Sequence, residues 1–302
     1  MSIVKHRNIF FGITGAITAC AIAAIIVFGL PLSIDFTGGS LVEVEYQGPR
    51  PSLPDIRASV DTLPLGAVSL RESGERGIVV RTHTLTPEER NAILGALSLQ
   101  GEAPVIELRS TSIGPSLGSE LAGKALYAIL AVIVTIVLYI AFAFRKVSRP
   151  VSSWIYGLTV IVVLVHDVIV PLGFYAVYAH FVGAEVDSLL VVALLAILGY
   201  SVNDTIVIFD RVREHLRTNE EKSVREPFAE TVDTAVIETL GRSINTSLTV
   251  VLALAALVVF GSGATVHFAA VLLAGVVAGT YSSILVAAPL LIPLSKALAK
   301  KD

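Results

Sequence analysis

The 302-residue sequence is 54% hydrophobic and only 16% charged, with a mean hydropathy of +0.78. A soluble domain carries about 25% charge, so an ordinary water-soluble protein is excluded and an integral membrane protein is expected. The net charge of −3 says little about partners, and the single cysteine, Cys20, rules out an intrachain disulfide.

Six continuous apolar runs are long enough to cross a hydrocarbon core, which takes about 20 residues of helix. They run from Ile9 to Leu30, Gly123 to Phe144, Ser152 to Tyr178, Ser188 to Phe209, Ser243 to Phe260 and His267 to Leu294. Their continuity argues for helices over alternating barrel strands. The first run continues past Cys20 to Leu32. It reads as an uncleaved anchor, because a signal peptide's apolar region covers only about 7–15 residues. The sixth contains Gly275, Gly279 and Pro289, so a tilt, a kink or an early end is expected there.

Basic residues orient the spans. Lys5 and Arg7 precede the first. Arg145, Lys146 and Arg149 separate the second from the third. Arg211, Arg213, Arg217, Lys222 and Arg225 fall in a loop expected at about residues 211–241, between the fourth and fifth. Lys296, Lys300 and Lys301 follow the sixth. The short loops on the other side, His180–Asp187 and Gly261–Val266, carry no Lys or Arg. Both termini are therefore expected in the cytoplasm.

Residues 33–120, between the first two spans, then form one extracytoplasmic α+β domain. "SLVEVEYQG" alternates and predicts a strand. "SLPDIRASVDTL" predicts a helix with Pro54 near its start. "AVSLRESGERGIVVRTH" predicts two strands around a turn. "TPEERNAILGAL" predicts a helix with Thr86 as N-cap and Glu89 closing a capping box. "PVIELRSTSI" predicts a last strand. The order β-α-β-β-α-β is the ferredoxin-like plan. Its carboxylates are scattered, and the chain shows no metal-ligand spacing, nucleophile elbow or phosphate loop. No enzyme activity, cofactor or metal is expected. Gly38 and Gly39 lie at the entry to the domain, and Gly114, Pro115 and Gly118 at its exit. Both groups suit tight turns, and equally a hinge.

Ionisable groups inside spans are the informative ones, since a charge at a helix centre costs about 2.5–3.5 kcal/mol on insertion scales. His166 and Asp167 sit near the middle of the third span, one turn before Pro171. Asn203 and Asp204 lie late in the fourth. Asp204 stands about 9 Å along the axis from Asp210 and the boundary charges, too deep for a short side chain to snorkel. It must find a partner or carry a proton. Arg242 opens the fifth span, followed by Ser243, Asn245 and Thr246. If the fourth span descends and the fifth rises, Arg242 comes to the depth of Asp204. A routine positive-inside anchor is the competing reading of Arg242. His180 and His267 are taken as interfacial.

"IDFTGGS", "SIGPSLGSELAGKAL", "VHDVIVPLGFYAVY", "GYSVNDTIVIFDRVRE" and "RSINTSLTV" occur in this order along nearly the whole chain. Together they resemble the SecD/SecF family of bacterial protein-export membrane proteins, within the resistance-nodulation-division superfamily. The single small domain resembles the SecF side. The resemblance implies a proton-coupled, non-enzymatic subunit of the inner membrane that pairs with SecD. It works beside the SecYEG channel on a translocating preprotein, with YajC as a further partner and no nucleic acid. It implies that Asp204 and Arg242 belong to the proton pathway, with a further aspartate supplied by SecD. His166, Asp167, Asn203 and Asn245 are candidates for polar support. The stretch between Asp204 and Arg242 looks a few residues longer than in many relatives. A proton-coupled small-molecule exporter of the same superfamily, or a passive scaffold, remain the alternatives.

Overall fold

The computed structural model describes residues 3–145, 151 and 153–299. Lys146, Arg149, Ser152, Lys300 and Lys301, used above for spans and orientation, lie outside the described residues. The helices are α1 (Arg7–Phe28), α2 (Ile34–Thr37), α3 (Leu53–Val60), α4 (Pro87–Leu97), α5 (Pro115–Ala143), α6 (Ser153–Val182), α7 (Ser188–Glu221), α8 (Phe228–Phe260), α9 (Ala264–Ser282) and α10 (Ala288–Ala299). The strands are β1 (Gly39–Tyr46), β2 (Ser69–Ser73), β3 (Gly77–Thr82) and β4 (Val105–Ile113). The chain forms two compact units. One comprises Pro31–Leu126 with Glu185–Asp187, and the other the remaining, mostly helical chain.

The smaller unit follows the expected β-α-β-β-α-β order. Its strands lie in the order β2-β3-β1-β4, each neighbouring pair antiparallel. Alternation along β1 buries Ser40, Val42, Val44 and Tyr46 on one face, against Ile56, Ile93 and Leu97 of α3 and α4. The phenol of Tyr46 ends inside this core and donates to the carbonyl of Leu97 at 2.9 Å. Burial pushes it up to about 12. At the start of α4 the capping box forms as the sequence predicts: Thr86 Oγ1 accepts from the Glu89 amide and Glu89 accepts from the Thr86 amide. The bond from the Thr86 backbone is the main cause holding the Glu89 carboxyl below the usual range.

Residues far apart in sequence complete this unit. The Ser33 amide donates to the Val186 carbonyl at 2.9 Å, and the Val186 amide to the Pro31 carbonyl at 2.8 Å. Glu185 pairs with Arg81, and with Arg71 at 3.4 Å. Burial, then the nearby charge of Arg71, lowers Arg81 to about 10, against the opposing pull of Asp35. The entry and exit segments meet backbone to backbone. Gly38 and Gly39 have φ of +74° and +113°. Pro115 opens α5, so Gly118 sits in the first helical turn rather than in a bend. A Cβ on Gly118 would lie 2.6 Å from the Gly38 nitrogen, so only glycine permits this approach.

Among the described residues, six helices are long and apolar enough to cross a membrane: α1, α5, α6, α7, α8 and the α9–α10 pair. The third, fourth and sixth are the most buried. Glycines set their contacts, as is usual where small residues let membrane helices approach. A Cβ on Gly173 of α6 would clash with Ala21 of α1. One on Gly275 of α9 would clash with Ile197 of α7, and one on Gly279 would sit 2.9 Å from Ser201 Cβ. The sixth span is interrupted by a π-helical turn over Ser283–Ala287. Pro289 follows it, and its missing N–H frees a carbonyl one turn earlier, a recognised cause of such breaks. The segment expected as a loop over residues 211–241 is largely helical. The helix α7 continues to Glu221 and α8 starts at Phe228. Glu238 of α8 ties the two together by pairing with Arg211 and His215 of α7.

Candidate functional site

Two buried carboxylates lie within the helical unit, and each is held by hydroxyl groups from neighbouring helices. Asp204 of α7 is 3% exposed and accepts a hydrogen bond from Ser247 Oγ of α8 at 3.4 Å. Ser247 in turn receives bonds from Thr280 Oγ1 of α9 at 2.7 Å and Tyr200 OH of α7 at 3.2 Å. Ser243 lies one turn before Ser247 on the same face of α8, and its buried hydroxyl has no hydrogen-bond partner among the described residues.

Asp167 of α6 is completely buried. His166 Nδ1 donates to Asp167 Oδ1 at 2.7 Å. The other oxygen, Oδ2, accepts from Ser201 of α7 and from Ser282 of α9, the latter at 3.0 Å. The far nitrogen of the imidazole, Nε2, meets Tyr281 OH of α9 at 2.6 Å. Adjacent helical positions diverge by about 100°, yet these two side chains bond directly. The helix continues unbroken through Pro171.

The structure thus brings His166 and Asp167 together and places Asp204 in a separate cluster. It does not pair Asp204 with Arg242. Arg242 is exposed on α8, and no ion pair joins it to any described residue. Asn203 and Asn245 are exposed as well. His267 and His180 do more than face the interface. His267 Nδ1 meets Tyr178 OH at 2.7 Å, and the His180 ring packs on Phe28.

Missing from the sequence reading is the run Thr280-Tyr281-Ser282-Ser283. Thr280 reaches the Asp204 cluster, Tyr281 and Ser282 reach the His166–Asp167 cluster, and Ser283 meets Thr205 Oγ1 at 2.8 Å. Four consecutive hydroxyls in an apolar span were the available signal. Gly279, pressed on Ser201, brings this run close enough to α7 to act, and the π turn begins at Ser283. Such turns recur at functional sites.

Residues 98–297 match the family model for the C-terminal region of the SecD/SecF protein-export membrane proteins, and residues 23–49 match the SecD/SecF GG motif. The chain is 35% identical to the protein translocase subunit SecF of Anaerolinea thermophila, over 97% of this chain and 93% of that protein. It is 36% identical to SecF of Thermobaculum terrenum, with the same coverage. Among solved structures, it resembles SecDF, a translocon-associated membrane protein from Thermus thermophilus. The TM-score is 0.82 at 29% identity, over 97% of this chain. The match covers only 38% of that longer chain. SecDF in a super-membrane-facing form matches with a TM-score of 0.68 at 28% identity.

Proposed function

The chain belongs to the SecD/SecF family of protein-export membrane proteins, and from that premise we propose that it is a proton-coupled auxiliary subunit of the Sec translocase. It pairs with SecD beside the SecYEG channel, in a bacterial inner membrane, and acts on a translocating preprotein. Both termini lie in the cytoplasm and the α+β unit on the opposite side. Support for this orientation comes from the basic residues Lys5, Arg7, Arg211 and Arg213. The work is conformational rather than enzymatic.

One observation carries the reading. Asp204 is buried among hydroxyls with no ion-pair partner among the described residues, while Arg242 stands exposed on a neighbouring helix. A charged side chain in a span faces a partner or a polar cavity, not lipid. The acid and the base therefore belong to one site that SecD completes, contributing a carboxylate opposite Arg242. Protonation of Asp204 removes its charge, changes what Arg242 pairs with and shifts the packing of α7 against α8. The glycines Gly38, Gly39, Gly114 and Gly118, with Pro115, are where the α+β unit turns in response.

The test is Asp204→Asn in an export assay with and without a proton gradient. The gradient-dependent part of export should disappear while assembly with SecD persists. Export that still responds fully to the gradient would refute the proton role and favour a scaffold.

A further inference from the structure

We propose that Tyr281, His166 and Asp167 form a second proton-holding site that works in series with Asp204. This proposal rests on the proton-coupled reading above. Its geometry is that of an orienting chain. Tyr281 OH lies against His166 Nε2, and His166 Nδ1–H donates to Asp167. The remaining Asp167 oxygen is held by two serine hydroxyls. Both ring nitrogens are therefore held, and the bond to the carboxylate favours the tautomer with the proton on Nδ1.

That arrangement accommodates two protonation states without moving a heavy atom. In the neutral ring, Nδ1 carries the proton and Nε2 accepts from the Tyr281 hydroxyl. A proton delivered to Tyr281 from outside binds its oxygen, while the hydroxyl's own proton passes to Nε2. The donor, a hydronium ion, loses one O–H bond and becomes water; the phenol gains that proton as a new O–H and gives up its original one, an N–H bond forms at Nε2, and the new Nε2–H now donates to the phenol oxygen. The positive charge on the ring is balanced by the Asp167 carboxylate. Few other ionisable groups lie on the packed elements. The helix α1 carries only Cys20 between Arg7 and Phe28, α7 carries Tyr200 and Asp204 on its spanning part, α9 adds His267, and α10 carries Lys296. Among the described residues, no other acidic or basic side chain bonds to the pair.

Both sites lie beside one almost wholly apolar groove. This groove, of about 420 Å³, runs between α8 and α9, walled by Ile244, Leu248 and Val277, and its lining includes Ser247, Thr280 and Tyr281. Ser247 touches Asp204 and Tyr281 touches His166. Thr280 and Tyr281, adjacent in sequence, thus join the two carboxylate sites through one short segment of α9. The π turn that begins at Ser283 lies directly beyond them. Gain or loss of a proton at either site pulls on the same short segment of the sixth span.

The experiment has two arms. The full chain is placed in lipid nanodiscs with ¹⁵N-labelled histidine, and His166 is assigned by its loss in His166→Gln. Nδ1 should stay protonated throughout, with Nε2 alone changing as the pH is lowered. A neutral ring protonated on Nε2, or a ring that keeps one charge state across the whole pH range of export, overturns the proposal. In the second arm, Tyr281→Phe is assembled with SecD in proteoliposomes and proton flux is measured. The variant loses only a hydroxyl, and flux should fall by a factor on the order of 10². Unchanged flux overturns the proposal while leaving Asp204 in place. Flux lost in Tyr281→Phe but intact in Asp204→Asn sinks the Asp204 reading, and with it the series arrangement proposed here.

Discussion

A side chain's polar tip matters most where water cannot replace its partner. Tyr46 illustrates this in the α+β unit. Its bond to Leu97 is one net hydrogen bond, worth about 1 kcal/mol, so Tyr46→Phe should destabilise the unit by about that much. The pH dependence has a definite sign. The phenol is raised from 10.0 to about 12 in the folded chain, so its contribution is complete below pH 10 and is lost as the pH rises through about 12. The Phe variant should lack this alkaline component, as read by hydrogen exchange of β1 and α4 amides against pH. At the same scale, Asp204 was legible in the sequence because a carboxylate in an apolar run has few harmless explanations. Ser247, Thr280 and Tyr281 were not. Hydroxyls in helices commonly bond their own preceding carbonyls, and Thr280 does bond the Val276 carbonyl at 2.7 Å. Only the tertiary packing shows that it also serves Ser247.

Among elements, α7 and α9 depend on small residues at their crossing. Gly279→Val would force Cβ into Ser201 and carry extra methyls behind it. Overpacking of this kind costs about 1–3 kcal/mol, and it should part Ser201 and Ser282 from Asp167. Disulfide trapping between cysteines placed on α7 and α9 should fall in this variant. Gly199→Ala, which meets open space, should leave trapping unchanged. The strands and helices of the α+β unit were readable because alternation and capping chemistry are local. The helical continuation of α7 and α8 past the apolar stretch was not. A span is recognised where charge begins, but backbone hydrogen bonding does not stop there, and Arg211, Glu238 and His215 hold the extension together from its surface. Distortion of the sixth span, as a tilt, a kink or an early end, was anticipated from Gly275, Gly279 and Pro289. Its π geometry was not, since two glycines and a proline permit several kinds of distortion.

For the molecule as a whole, the exposed polar groups are more telling than the buried ones. Asn203 of α7 and Arg242 and Asn245 of α8 are exposed, and the exposed residues of α8 also include Ile244, Leu248 and Leu252. A charge in that position faces a partner or a polar boundary rather than lipid, and the proposed SecD contact there can be tested. Arg242→Cys should react with a water-soluble maleimide when the chain is purified by itself and be protected once SecD is bound. Equal reactivity in both states would remove Arg242 from the interface.

The short segment Glu185–Asp187 makes the α+β unit unusual in time as well as in space. Its strands and helices are synthesised early, but Val186 pairs with the backbone at Pro31 and Ser33, and Glu185 meets Arg71 and Arg81. Those partners emerge from the ribosome only after α5 and α6. At about 5–20 residues per second, the early part waits several seconds for its last piece. During that interval Arg81 lacks its carboxylate, and the edge formed by residues 31–33 is open. The unit therefore reports on insertion. It reaches its final form only once the segment after α6 has joined it, so a chain whose α6 fails to bring that segment back leaves the unit unfinished.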